Sequence, residues 1–326
     1  MRRFRTFLVY PVVAVLGVPL AWVVERLLRL SSRRIGVALI YHSVDAIQGD
    51  LERELVPPHG SGLFAAQVRH LRRCYRVVDA ERLLASVAER RRGERFPVAI
   101  TFDDDLACHP ELVTPILAGE RATATFFLTG SSLEGPFAFW WERLQRAVDA
   151  GLDAPELPGD GAPGSRPSRS IHDLGRDVER LSPEDRDRIS AALAEQLGPD
   201  PAETGLQAAG VRALVAAGMR VGFHTLRHDP LPSLGDDALA LAMTAGRAEL
   251  EAVAEQRLTV IAYPHGHVDS RVAAAARAAG FECGYTTRLE PVRPVSDPLL
   301  LGRLSPSYRS TGHFALQLVR FLARKT

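Results

Sequence analysis

The chain has only three cysteines in 326 residues, Cys74, Cys108 and Cys283, and no two of them form a C-x-x-C pair. A thiol zinc knuckle and a dithiol redox centre are therefore excluded, and the cysteines read as small packing residues, with Cys108 lying close to an acidic turn. Net charge is equally scarce. The 40 basic and 39 acidic residues leave +1, so there is no bulk attraction to nucleic acid and no nucleic-acid partner is expected. No segment repeats. The length admits one large α/β domain or two ordinary ones, and a composition 46% hydrophobic and 24% charged is that of a globular protein.

What is present is organised around Pro97-Val-Ala-Ile-Thr-Phe-Asp-Asp-Asp105. Val98 to Phe102 suits a buried parallel strand, and three carboxylates follow it without a break. In α/β sheets, ligand sites gather beyond the carboxyl ends of such strands. Three adjacent aspartates repel one another and lose solvation on burial, so packing gives no reason for them. A solvated, capped acidic turn is the plain alternative.

The amino terminus carries 18 residues without a charge, Phe7 to Val24, between Arg2, Arg3 and Arg5 on one side and Arg26, Arg29, Arg33 and Arg34 on the other. That length just reaches a membrane span of about 20 residues. Residues 1–34 are therefore expected to be a membrane anchor or signal-like segment, with the membrane as partner through residues 7–24 and an extracytoplasmic placement. Arginines on both flanks leave the orientation undecided.

Downstream, strand-like and helix-like stretches alternate. Strands are expected at 34–44, 75–78, 97–102, 122–129, 219–224, 258–264 and 281–286, with a short extended piece at 299–303. Helices are expected at 63–75, 80–92, 110–117, 207–218, 236–256, 269–280 and 312–325. This rhythm predicts a mainly parallel sheet with helices outside. Residues 131–205 interrupt it as an insertion in a single domain over 35–326. Within it, Phe137–Leu144 begins an aromatic helix suited to roofing a pocket, 155–170 reads as a Pro/Gly/Ser-rich loop, and Ser182-Pro-Glu-Asp185 reads as a helix start.

His224-Thr-Leu-Arg-His228 follows another strand directly. Two imidazoles four residues apart share a side of a helical turn, and two His with one carboxylate is a common divalent-metal set with open positions. Parallel topology brings this strand tip and the aspartate tip to one rim.

Thr101-Phe-Asp-Asp104, His224-Thr-Leu-Arg-His228 and Ile261-Ala-Tyr-Pro-His-Gly266 resemble three motifs of the polysaccharide deacetylases, the NodB-homology or carbohydrate esterase family 4 domain. The resemblance runs from about Ile35 to Pro306. It implies a distorted (β/α) barrel and a metal-dependent hydrolase, a non-peptide C–N hydrolase that removes N-acetyl groups from amino sugars of a polysaccharide or glycolipid. In that scheme Asp104, His224 and His228 hold a divalent metal, most often Zn2+, and Asp103 is the general base. Thr225 and Tyr263 support the site, and the backbone N–H of His265 helps hold the oxyanion. Three departures stand out. Asp105 replaces a usual Gly, and Ala262 replaces a usual Arg, which leaves Arg303 as the candidate partner of Asp103. The late Leu-x-His motif is missing, which leaves His42 as first candidate for the general acid, with His265 and His267 behind it. The alternatives are hydrolysis of another amide, or a catalytically impaired carbohydrate-binding or assembly protein.

Overall fold

The computed structural model describes residues 2–153, 155–158 and 169–324, with the side chains of residues 2–11 outside that description. Strand β5 (Pro97–Asp103) is buried along its whole length, as an apolar run without a polar face requires. On one side it pairs with β1 (Val37–Tyr41), and on the other with β4 (Arg76–Val78) and β6 (Thr125–Leu128), parallel in each case. The parallel series continues through β7 (Arg220–Phe223), β8 (Val260–Ala262) and β9 (Cys283–Tyr285), while β10 (Arg303–Leu304) lies against the outer edge of β1. A bridge from Tyr285 to Leu301 joins the two ends. The result is a nearly closed, distorted (β/α) barrel, as expected. A separate pair, β2 (Val44–Asp45) and β3 (His59–Gly60), sits beside the rim.

Alternation along the strands sorts the side chains. Val98, Ile100 and Phe102 face outward into the main apolar layer, with Val37, Leu39 and Tyr41 from β1. Ala99 and Ala38 face inward with Phe127, Ala262 and Tyr285. Helix α3 (Ala80–Glu89) closes the amino-terminal end of the barrel, where Leu83 and Val87 join the inner cluster and Tyr285 Oη donates to the Ala80 carbonyl at 2.6 Å. Helices α2 (Ser61–Cys74), α4 (Thr114–Gly119), α8 (Gln207–Ala216), α9 (Asp236–Ala242), α10 (Arg247–Ala254), α11 (Ser270–Ala278) and α12 (Thr311–Ala323) form the outer layer. The single helix expected at 236–256 is two, because Gly246 at φ 75° breaks it.

The insertion folds into α5 (Trp140–Asp149), α6 (Ile171–Glu179) and α7 (Pro183–Leu197) around a small core of Leu144, Leu174, Val178, Ile189 and Leu193. Ser170 and Ser182 cap α6 and α7 by accepting from backbone N–H groups three residues on. Helix α6 is an addition to the expected elements. Most of the expected 155–170 loop lies outside the described residues.

Helix α1 (Arg2–Arg29) packs along α12, with Ala21, Ala315 and Val319 buried between them. Among the described residues no helix is long and apolar enough to cross a membrane; the span expected at 7–24 falls in part on residues 7–11, whose side chains lie outside that description. Glu25, Arg26 and Arg29 follow Val24 on the helix, and α12 occupies one of its sides.

Candidate active site

Asp103 ends β5 and points into the barrel, on the same side as Ala99 and Thr101. Across the mouth, Arg303 on β10 meets it with two parallel hydrogen bonds, Nη1 to Oδ1 at 2.6 Å and Nη2 to Oδ2 at 2.7 Å. Arg303 is itself pinned, donating from Nε to the Thr286 carbonyl at 3.1 Å and from Nη1 to Thr101 Oγ1 at 3.2 Å. Burial acts to raise the Asp103 pKa, but the Arg303 charge, His224 and these bonds together hold it below the usual carboxylate range. Asp103 is thus kept ionised.

Asp104 lies one residue beyond, at φ 73°, which turns its carboxylate away from Asp103 and toward β7. His224 follows β7 directly, and its Nδ1–H donates to the Ala262 carbonyl at 2.8 Å. That bond fixes the tautomer and leaves Nε2 as a lone-pair donor, 3.6 Å from Asp104 Oδ1. His228 Nε2 also lies 3.6 Å from that oxygen. Asp104 Oδ1 is buried and has no hydrogen-bond partner, a costly condition for a carboxylate oxygen. One ligand atom from each of the three residues falls within a 4.8 Å span. A tetrahedral zinc with bonds of about 2.0–2.2 Å sets its ligand atoms roughly 3.3–3.6 Å apart. The donor set and spacing fit a divalent cation, which would also satisfy the orphaned oxygen. Burial, followed by Asp103, Glu142 and Asp105, pushes the Asp104 pKa well up, a shift that a bound cation opposes.

Backbone strain concentrates here. Asp104, Thr225, His228 and His265 adopt φ of 73°, 59°, 51° and 57°, four of the seven non-glycine residues with positive φ among the described residues. Such conformations cost on the order of 1–3 kcal/mol each and persist where surrounding contacts over-determine them.

Asp105 is one of those contacts. Its carboxylate accepts from Thr129 N at 2.7 Å and Thr129 Oγ1 at 2.8 Å, and from Ser132 Oγ at 3.4 Å. Thr129 Oγ1 is 2.9 Å from Ser131 Oγ, which donates to the Leu226 carbonyl between the two histidines. Ser132 Oγ in turn accepts from Leu206 N at 3.0 Å, at the end of the insertion. The third aspartate therefore braces both ligand loops and the base of the insertion.

His42 follows β1 and lines the cavity with Asp103 and Asp104; burial pushes its pKa down to about 4. The buried His109 ring holds the His42 carbonyl, Nε2 to O at 3.0 Å. His265 also lines the cavity, with Nδ1 3.2 Å from Glu179 Oε1. Thr225 is buried beside His224, with its hydroxyl unpartnered. Tyr263, next to the inward Ala262, faces outward into the helix layer, its Oη donating to the Leu299 carbonyl at 2.9 Å. It supports the turn and does not line the cavity.

The cavity, about 360 Å³, is roofed by Trp140 and Trp141 of α5 and by Glu179 of α6. The aromatic helix expected to roof a pocket does so. Trp141 stacks on Phe139 at 4.3 Å between centroids and lies 4.8 Å from the His228 ring. Arg186 of α7, buried, pairs with Asp229 at 2.7 Å, one residue after His228. Glu179, Arg186 and Asp229 carried no sequence signal, since single charges on amphipathic helices look solvated.

A family model described as polysaccharide deacetylase matches residues 90–154 and 193–284. No curated protein matches. Among solved structures, the chain is similar to Streptococcus pyogenes deacetylase PplD in complex with acetate, at 15% identity, TM-score 0.60, covering 89% of this chain and 99% of that one. It is also similar to a Bacillus cereus polysaccharide deacetylase, at 16%, TM-score 0.58, covering 87% and 69%. IcaB from Ammonifex degensii aligns at 19%, TM-score 0.56, covering 86% and 97%. At these identities the structural likeness establishes the fold. The family match takes in Asp103 to Asp105 and His224 to His228, and leaves out His42, Arg303 and the middle of the insertion.

Proposed function

On the premise that the chain belongs to the polysaccharide deacetylase family, we propose that it is a metal-dependent hydrolase that removes N-acetyl groups from amino sugars of a polysaccharide or glycolipid. The observation that carries this reading is the buried Asp104, His224 and His228 cluster set beside an ionised Asp103 that is held off it by Arg303. A divalent cation there, Zn2+ by its donor set, supplies a Lewis acid for the acetamide carbonyl and acidifies water.

The chain's own groups do the rest. Asp103 Oδ2, 3.9 Å from His224 Nε2, faces the space above the cluster and accepts the proton of the attacking water. The Arg303 fork fixes that carboxylate in one rotamer and keeps it charged. Trp140 and Trp141 offer flat apolar faces to a sugar ring and exclude water from the cavity. His265, at the cavity and in the left-handed region, would supply its backbone N–H to the developing oxyanion. The leaving amine must be protonated within the cavity, where His42 and His265 stand; burial lowers the pKa of both rings, so either acts by relaying the proton released from the water rather than by storing one.

Acetate release from N-acetylated oligosaccharides, with Zn2+ supplied, tests the reading on the full chain. His228→Ala is expected to abolish zinc retention and release together. No release from any N-acetylated sugar, with zinc bound, would favour a binding protein on the same fold.

A further inference from the structure

Among the described residues no helix other than α1 exposes more than one large apolar side chain. Val12, Val15, Leu16, Leu20, Val23 and Leu27 stand between 47% and 72% exposed, all but the adjacent Val15 and Leu16 spaced by three or four. At 100° per residue they share one face, while Gly17, Ala21 and Glu25 fall on the opposite one against α12. The docking is close: a Cβ on Gly17 would stand 2.6 Å from the Gly312 carbonyl oxygen. The helix is thereby fixed with its apolar side outward. Exposed apolar area of this extent in a protein marks a contact surface.

The charges around that face have one sign. Glu25, the acid of the helix, is turned inward and pairs with Arg29 at 3.6 Å. Arg26 lies on the outer face, over the Trp22 ring at 5.0 Å. Beside the helix runs a groove of about 420 Å³ with an apolar floor of Val13, Leu316 and Phe321, and Arg320 and Arg324 stand at its edge.

We propose that α1 and this groove dock the chain on the surface of an anionic lipid bilayer, the helix lying in the plane of the interface. Its exposed apolar side enters the acyl boundary and the arginines meet lipid phosphates, so that buried apolar area and attraction to anionic headgroups act together. A second copy of the chain is a poorer occupant, because a two-fold contact would bring the same arginines together. The barrel would then sit sideways on the membrane, within reach of glycans at its surface. This inference stands independently of the deacetylase reading, since it concerns only binding to lipid.

The test is sedimentation of the full chain with vesicles of phosphatidylcholine alone and with added phosphatidylserine. The expected result is binding to the anionic vesicles, weakened at least about tenfold by Leu20→Glu with Leu27→Glu. Arg320→Glu with Arg324→Glu should remove the preference for anionic lipid and leave the residual apolar binding. All four positions are exposed, and an unchanged thermal transition will show that the variants fold. Binding that ignores lipid charge, or none by a folded, monodisperse chain, would overturn the proposal. Retention through alkaline carbonate washing would replace an in-plane helix with a spanning one. A dimer in light scattering that Leu20→Glu dissolves would assign the face to a second copy.

Discussion

At the rim, Asp103 and Arg303 come from strands 200 residues apart in sequence, and every atom that positions them is backbone or another buried side chain. In the insertion, α5 to α7 make their own small core and reach the rim through side-chain fixings: the Arg186–Asp229 and Asp187–Arg227 pairs, Glu179 beside His265, the Trp141–His228 contact and Ser132 at the base. The first region is over-determined and the second is bolted on. The barrel therefore sets what chemistry is possible, and the insertion sets what reaches it.

The bolt is the point to break first. Arg186→Met removes the buried one of the two arginines paired with Asp229 and leaves Arg227 Nε at 3.2 Å, so the expected cost is about 1.5–3 kcal/mol in denaturant unfolding. The double variant Arg186→Met with Asp229→Leu should recover most of it. If Arg186→Met costs nothing, the insertion is not held by this pair.

Asp105→Ala removes the acceptor for Thr129 N and Oγ1 and loosens both ligand loops. A loss of about 1–3 kcal/mol is expected, with zinc affinity down about 10–100-fold, the range for groups that orient metal ligands. Unfolding and zinc titration of the same variant separate the two effects. Unchanged zinc affinity in a destabilised variant would confine Asp105 to a packing role.

How much of this was legible in the sequence follows the same division. The barrel was readable because β5 announces itself as an apolar run and because strand ends share a rim in any parallel barrel. The Asp103 to Asp105 and His224 to His228 stretches could be brought together on that ground alone. Arg303 could be named only by the absence of another partner, since one arginine near a chain end carries no pattern. Asp105 had no reading, because its bonds run to Thr129 and Ser132, contacts that exist only in three dimensions. Helix α6 and the Arg186–Asp229 pair were illegible for the same reason.

Trp140→Ala, on the insertion side, should raise KM roughly tenfold and leave kcat nearly unchanged, as loss of uniform binding does. A fall in kcat with KM unaltered would give the roof a part in the chemistry and blur the contrast.

Smallest is an effect away from both regions. His70, buried between α2 and α12 near Tyr75 and Phe314, has its pKa lowered to about 4 by burial. The unfolded chain takes up that proton first, so the stability His70 contributes is present above pH about 6.5 and is lost as pH falls toward about 4. His70→Gln should flatten the unfolding free energy over that window by up to about 1.4 kcal/mol per pH unit. An identical slope in the variant would show that His70 gains its proton in the folded chain as readily as in the unfolded one.

The central claim is that Asp103 acts as base beside a metal it does not bind. Its most direct test is acetate release from an N-acetylglucosamine oligomer by full-length Asp103→Asn, with zinc content measured on the same sample. The account predicts zinc retained as in the unaltered chain and release slowed about 10²–10⁴-fold, the usual share of a general base. Equal rates with equal zinc would contradict it.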